Sequence, residues 1–149
     1  MDELELTTLI DAKPEAIFAA VLDIEGQAAQ MEHLRGVEIL ESTPDSMVVR
    51  MDEHVDGVDV SITSRFRFGA PSWVTYEHVE SPFGVNEGRF EIVDHGDRCE
   101  LHQTHRTEQD LDSRPTLRAD WVAMMRRIHT TISALAIGSG DADRPTPEC

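Results

Sequence analysis

A chain of 149 residues, of which 40% are hydrophobic and 28% charged, can bury one core and is neither a disordered segment nor a membrane protein. Its formal net charge of −16 at pH 7 would repel nucleic-acid phosphate and anionic lipid, which excludes nucleic acid as a partner. No apolar run approaches the roughly 20 residues of a membrane span, and the start lacks the features of a secretory signal. With only two cysteines, for which we expect no disulfide, the chain is expected to be cytoplasmic.

The first third of the chain predicts one strand and two short helices. Alternating apolar residues indicate a strand over residues 3–10. Pro14 suits a first helical turn, and apolar residues follow it at helical spacing up to Leu22. We predict a second helix over residues 27–33, which ends before Gly36 returns the chain to extended structure.

The middle of the chain predicts an antiparallel meander. Strand-like runs alternate there with turn signals such as Pro44-Asp45, Asp56-Gly57 and His95-Gly96-Asp97. Six strands are expected, at residues 37–43, 47–55, 58–68, 73–79, 86–93 and 98–107.

The longest predicted helix covers residues 114–138 and ends at Gly138. Its apolar residues recur at steps of three and four: Leu117, Trp121, Met124, Met125, Ile128, Ile132 and Leu135. Residues 139–149 are rich in Asp, Pro and Gly, and we expect a disordered tail after a single domain of residues 1–138. The element order predicts an α+β fold in which a curved antiparallel sheet of about seven strands wraps the long helix around an internal hydrophobic cavity.

An ordered set of short motifs spans about residues 4 to 135: Asp23-Ile24-Glu25, Val37-Glu38-Ile39-Leu40, Thr63-Ser64-Arg65, Val79-Glu80-Ser81-Pro82-Phe83, Gly88-Arg89-Phe90-Glu91-Ile92, Gly96 and Glu100-Leu101-His102. This set resembles the polyketide cyclase and aromatase family of the lipid-transfer-like START superfamily, whose fold is the helix grip. The resemblance implies an enzyme that needs no metal or organic cofactor and promotes aldol cyclisation and dehydration of a polyketide intermediate in antibiotic biosynthesis. It also implies a hydrophobic ligand, free or bound to an acyl carrier protein, and a monomer or homodimer.

The resemblance also implies site residues. It places the catalytic arginine at Arg65, a strand hydroxyl at Thr63 and a pocket glutamine at Gln103. His78 joins them as the proton donor and acceptor for dehydration, because histidine titrates near neutral pH. The expected ligand contacts are Met31, Leu34, Tyr76, Phe90, His105 and Met124.

Several pocket positions depart from the family pattern. Gln27 and Phe90 stand where the family has tryptophan, His78 where it has a second arginine, and Met124 where it has asparagine. This loss of aromatic and polar groups favours an alternative, a binding, carrier or self-resistance protein that does not turn its ligand over.

The orientation of Arg65 separates the two functions. Alternation in residues 58–68 sends Thr63, Arg65 and Arg67 to solvent, whereas the resemblance turns that face inward. The apolar face of the same strand offers a third hypothesis, a dimer interface. His102 and His105 alternate to opposite faces of their strand and cannot chelate one metal together.

Overall fold

The computed structural model describes residues 2–31, 34–55, 57–82 and 84–142. Its elements are β1 (Asp2–Ile10), α1 (Pro14–Leu22), α2 (Ile24–Ala29), β2 (Leu34–Ser42), β3 (Ser46–Val55), β4 (Val58–Gly69), β5 (Trp73–Glu80), β6 (Asn86–Asp94), β7 (Cys99–Thr107) and α3 (Pro115–Ala142).

One antiparallel sheet contains all seven strands in the order β1-β7-β6-β5-β4-β3-β2. The meander from β2 to β7 follows chain order, and β1 closes the sheet by pairing with β7. Helix α3 lies against α1 and β1, on the concave side of the sheet. This confirms the predicted α+β helix-grip fold.

Alternation decides which side chains face the helix. In β7 the buried residues are Cys99, Leu101, Gln103, His105 and Thr107, while the residues between them are at least partly exposed. In β4 the buried residues are Ile62, Ser64 and Phe66. Buried apolar residues of the strands and of α1 join Ile132 and Ala136 of α3 in one core.

The second helix begins earlier than predicted. It starts at Ile24, because the Asp23 carboxylate caps it by accepting a hydrogen bond of 2.9 Å from the Gly26 amide. It ends at Ala29, and residues 32 and 33 of the predicted span lie outside the described residues.

The last helix does not stop at Gly138 but continues to Ala142. A glycine ends a helix when it adopts a left-handed conformation, and the described glycines with positive φ are Gly57, Gly84 and Gly96. Residues 143–149, with Cys149, lie outside the described residues, so a disordered tail there stays a prediction. Among the helices that the structure describes, none is long and apolar enough to cross a membrane.

Candidate ligand-binding site

A chain of side-chain hydrogen bonds runs through the interior and begins where α3 meets the sheet. His129 lies on the buried face of α3, between Met125 and Ile132. Its Nε2 lies 2.9 Å from the Gln103 Oε1 and its Nδ1 lies 2.9 Å from the Thr8 hydroxyl. The helix is therefore joined to β7 and β1 by polar contacts as well as by packing.

The same chain continues across the sheet from β7 to β5 and β6. The Gln103 Nε2 donates to the Tyr76 hydroxyl at 2.8 Å, and this hydroxyl lies 2.6 Å from the His105 Nδ1. The His105 Nε2 lies 3.2 Å from the Asn86 Oδ1. Register explains these contacts, because Tyr76 pairs with Gly88, and Gly88 in turn pairs with His105.

The two histidines of this hydrogen-bond chain, His105 and His129, are neutral at pH 7. Burial lowers the pKa of His105 to about 4, and repulsion from the protonated form of His78 adds to this effect. Burial, aided by the charge of His102, likewise lowers the pKa of His129 to about 4. Burial raises the pKa of Tyr76, so the phenol keeps its proton.

These protonation states give the chain a single direction. Because the Gln103 Oε1 can only accept, His129 carries its proton on Nε2 and accepts from Thr8 at Nδ1. Tyr76 accepts from Gln103 and donates to His105, which donates in turn from Nε2 to Asn86. Each group from Thr8 to His105 thus donates one hydrogen bond to the next group along the series.

Aromatic contacts fix the rings of this chain. The His105 ring stacks on Trp121 of α3, with 4.8 Å between ring centroids. Phe90 lies beside both Tyr76 and His129, at 5.6 Å and 6.0 Å between centroids. The rings are thus held between sheet and helix with little freedom to turn.

Two buried polar atoms next to this chain have no hydrogen-bond partner among the described residues, the Ser64 Oγ and the His78 Nδ1. Ser64 and His78 are direct partners across β4 and β5 and lie on the inner face of the sheet. Ser64 is only 1% exposed. Burial lowers the pKa of His78, so its imidazole is neutral at pH 7.

The inward placement of Arg65 and Thr63 is wrong. In β4 the inner positions belong to Ile62, Ser64 and Phe66, and Arg65 reaches the outer face, where it lies 3.6 Å from Glu77. Since side chains alternate along a strand, a shift of one residue reverses the face, and Ser64 presents the inward hydroxyl that the resemblance assigned to Thr63. On the apolar face of β4, Phe66 and Phe68 pack into the core while Val58 is exposed, so a dimer interface on this face stays a prediction.

The other predicted site residues are either buried or partly exposed. Gln103, His105, Phe90 and Met31 are buried. The structure leaves Leu34, Tyr76, His78 and Met124 partly exposed. Their contacts with a ligand stay predictions.

Sequence reasoning missed four members of this interior: Thr8, Ser64, Asn86 and His129. Thr8 and Ser64 occupy inward positions in otherwise apolar strand faces, and His129 falls in the apolar stripe of α3. A polar residue at a core position was the available signal. Within the described residues, no group of three or more His, Cys, Asp or Glu side chains could hold a metal ion.

No protein-family model and no curated protein matches the chain. Solved structures do. The di-domain aromatase/cyclase StfQ from the steffimycin biosynthetic pathway has a TM-score of 0.82 at 14% identity over 93% of this chain, which spans 52% of that protein. The Zhui aromatase/cyclase from Streptomyces sp. R1128 has a TM-score of 0.69 at 20% identity, over 94% of this chain and 93% of its own.

A START superfamily protein from Mycobacterium smegmatis has a TM-score of 0.76 at 19% identity, over 91% of this chain and 97% of its own. At these identities the similarity establishes the fold alone. The chain has the START or helix-grip fold, which it shares with polyketide aromatase/cyclases.

Proposed function

We propose that the protein binds a hydrophobic, oxygen-bearing small molecule of the polyketide type between its sheet and α3, and promotes its aldol cyclisation and dehydration without a cofactor. The observation that carries this proposal is the pair of unpartnered buried atoms, the Ser64 Oγ and the His78 Nδ1. Leaving such an atom unbonded costs about 1–3 kcal/mol, and a ligand oxygen supplies the missing partner. The apolar side chains around the pair suit the rest of the ligand.

His78 is the acid and base in this proposal. As a neutral imidazole, its Nδ1 accepts a proton from a carbon that lies between two carbonyl groups. The enolate carbon then bonds to a second carbonyl carbon, whose oxygen receives a hydrogen bond from Ser64 and takes the proton back from His78. For dehydration, His78 removes a further α-proton and returns it to the departing hydroxide, which leaves as water.

The series of hydrogen bonds that links Thr8 to Asn86 holds the side chains of the inner wall of this site in place. Gln103 donates one amide hydrogen to Tyr76 and accepts at its oxygen from His129. Its role in this proposal is therefore to orient these two side chains, not to contact the ligand. Tyr76 and His105 satisfy each other in the same way. His78 and Ser64 are therefore the reactive polar groups in this proposal.

A second candidate, a binding protein that returns its ligand unchanged, is favoured by the outward position of Arg65. A guanidinium in the interior would stabilise an enolate strongly, and Ser64 is a weaker, neutral donor. A carrier, chaperone or self-resistance protein needs the apolar interior and the two polar contacts but no such charge.

The test offers a poly-β-ketone thioester, both free and on an acyl carrier protein, to the wild type and to His78→Gln, and follows the products by mass spectrometry. We expect the wild type to give one cyclised product that has lost water, and His78→Gln to be at least about 100-fold slower while still binding. His54→Gln, which changes a histidine paired with Asp59 on the outer surface, is the matched control and should behave as the wild type.

The outcomes separate the two candidates. Tight binding with an unchanged mass supports the carrier and rejects the cyclase. Failure of the wild type to bind the thioester or its aromatic product rejects both. Arg65→Ala should leave the product profile unchanged, and an altered profile would contradict the assignment of catalysis to the inner face.

A further inference from the structure

The outer face of the sheet has a groove of about 430 Å³ lined by four arginines, Arg65, Arg67, Arg89 and Arg106. The whole chain has only 13 Lys and Arg residues against 29 Asp and Glu. Only two acidic residues, Glu77 and Glu87, are among the residues that line the groove. It is therefore a locally positive pocket on a strongly negative protein.

Strand register gathers the arginines around a floor of small side chains. Thr75 of β5 pairs with Arg67 on one side and Arg89 on the other, and Thr104 of β7 is the next residue in this row. Since strands are about 4.8 Å apart, Arg67 and Arg89 stand roughly 10 Å apart and can both reach over Thr75. The short threonine side chains leave the centre of the groove open between the longer arginine side chains.

The guanidinium groups of the groove have more N–H donors than their glutamate partners accept. Arg65 and Arg67 both approach the same Glu77 oxygen at 3.6 Å, which is too long for a good hydrogen bond. Arg106 bonds Glu87 at 3.3 Å, while Arg89 bonds Glu91 at 2.7 Å and lies over the Trp73 ring, 5.3 Å from its centroid. Each guanidinium has five N–H groups, so most of these donors remain available.

We propose that this groove binds a compact phosphate-bearing anion, such as the phosphate monoester or diphosphate group of a small molecule. Arginine forks match phosphate oxygens two at a time, and several forks around one small floor are the arrangement that holds a doubly charged group. The groove volume lies in the range of small-molecule sites, which start at about 300 Å³.

Charge around the groove selects a compact anion over an extended acidic partner. In the same two rows of the sheet, β1 places Glu3 beside Arg106 and Glu5 beside Thr104. Both glutamates are exposed on the outer face. An acidic protein surface would be repelled by these carboxylates and by the net charge of −16. A single phosphate group is small enough to contact only the arginines.

This inference goes beyond the proposed function and does not depend on it, because the groove and the interior site lie on opposite faces of the sheet. The probes are inorganic phosphate and phosphoethanolamine, each titrated into the full chain at constant ionic strength. NMR follows the indole N–H of Trp73 next to the groove and of Trp121 in the interior. We expect saturable shifts at Trp73 and none at Trp121.

Arg67→Gln and Arg89→Gln should each weaken binding about tenfold, as expected for loss of one charged donor at a partly exposed site. Arg50→Gln is the matched control, since Arg50 pairs with Glu38 on β2 and does not line the groove. Tighter binding of phosphoethanolamine than of phosphate supports an organic phosphate as the ligand, and equal binding supports free phosphate. Shifts that do not saturate, or equal weakening in Arg50→Gln, would overturn the proposal.

Discussion

Tyr76 can occupy its position only because Gly88 has no Cβ atom. The two residues pair across β5 and β6, and a Cβ atom at Gly88 would collide with the Tyr76 hydroxyl and lie 2.6 Å from the Thr104 carbonyl oxygen. Gly88 is not in a left-handed conformation, so it is required for space and not for backbone freedom.

We therefore expect Gly88→Ala to destabilise the fold by about 1–3 kcal/mol, the usual cost of overpacking, and to break the bond between Tyr76 and His105. Urea unfolding measures the first effect, and the titration of His105 by NMR measures the second. Gly138→Ala is the control, because a Cβ there meets nothing within 4 Å, and it should stabilise α3 by about 0.5–1 kcal/mol. Equal stability of the two variants would contradict this account.

At the residue scale, simple alternation predicted more than the resemblance did. The apolar residues of β4 correctly indicated its inner face, and on that basis Arg65 faces solvent. The resemblance failed by one residue, because at low identity the position of a strand motif is uncertain by that amount, and one residue reverses the face. Ser64 was missed because the resemblance assigned the inward hydroxyl to its neighbour Thr63.

Among the elements, α3 is joined to the sheet through His129, which links Thr8 of β1 to Gln103 of β7. This link depends on a neutral imidazole, because protonated Nδ1 could no longer accept from Thr8. His105 depends on neutrality in the same way, since its Nδ1 accepts from Tyr76.

Stability should therefore fall as the pH drops below the pKa of histidine in the unfolded chain, 6.5. Because the pKa in the folded state is about 4 for His105 and for His129, the unfolded state takes up protons first. Full stability is present above about pH 6.5, and each histidine accounts for a loss on the order of 2–3 kcal/mol by about pH 4.5. Urea unfolding across this range measures the loss.

The controls are two histidine variants. His129→Leu should be less stable than the wild type at about pH 7.5 but should lose less on acidification, because one of the two buried groups is gone. His54→Gln, at a partly exposed site, should keep the wild-type pH dependence. An unchanged pH dependence in His129→Leu would contradict the role assigned to His129.

The sequence predicted the strands well and the helix ends poorly. Strands were bounded by glycine and proline turns, which act locally and are visible in the sequence. The start of α2 depends on the Asp23 cap, and the end of α3 depends on the conformation of Gly138, neither of which hydrophobic spacing reports. His129 was not recognised because its partners come from strands far away in the chain.

At the scale of the whole molecule, a net charge of −16 on 149 residues opposes compaction. We expect the melting temperature to rise between about 0.05 M and 0.5 M NaCl, since salt screens the repulsion between surface carboxylates. Each kcal/mol gained corresponds to a rise of about 2–4 °C for a chain of this size. Calorimetry at several salt concentrations measures the rise.

A variant with three exposed acids removed, Glu5→Gln with Asp11→Asn and Glu41→Gln, should show a smaller rise in melting temperature with salt. A melting temperature that is insensitive to salt in both proteins would show that charge repulsion is not a large term.

The fold as a whole followed from motif order, which records the sequence of elements along the chain. The hydrogen-bond chain could not be predicted, because it depends on the register of strands that are distant in sequence. Tyr76 and His105, for example, meet only because both β5 and β7 pair with β6 around Gly88.

The backbone of β5 at Tyr76 lies between the arginine groove and the interior hydrogen-bond chain. Its outward neighbours Thr75 and Glu77 line the arginine groove, while its own side chain belongs to the interior hydrogen-bond chain. The charged outer groove and the interior hydrogen-bond chain are thus separated by the thickness of a single peptide layer. A substitution that displaces this stretch of β5 backbone would therefore alter both the groove and the interior site, whereas a change in one side chain of either face would alter only one of them.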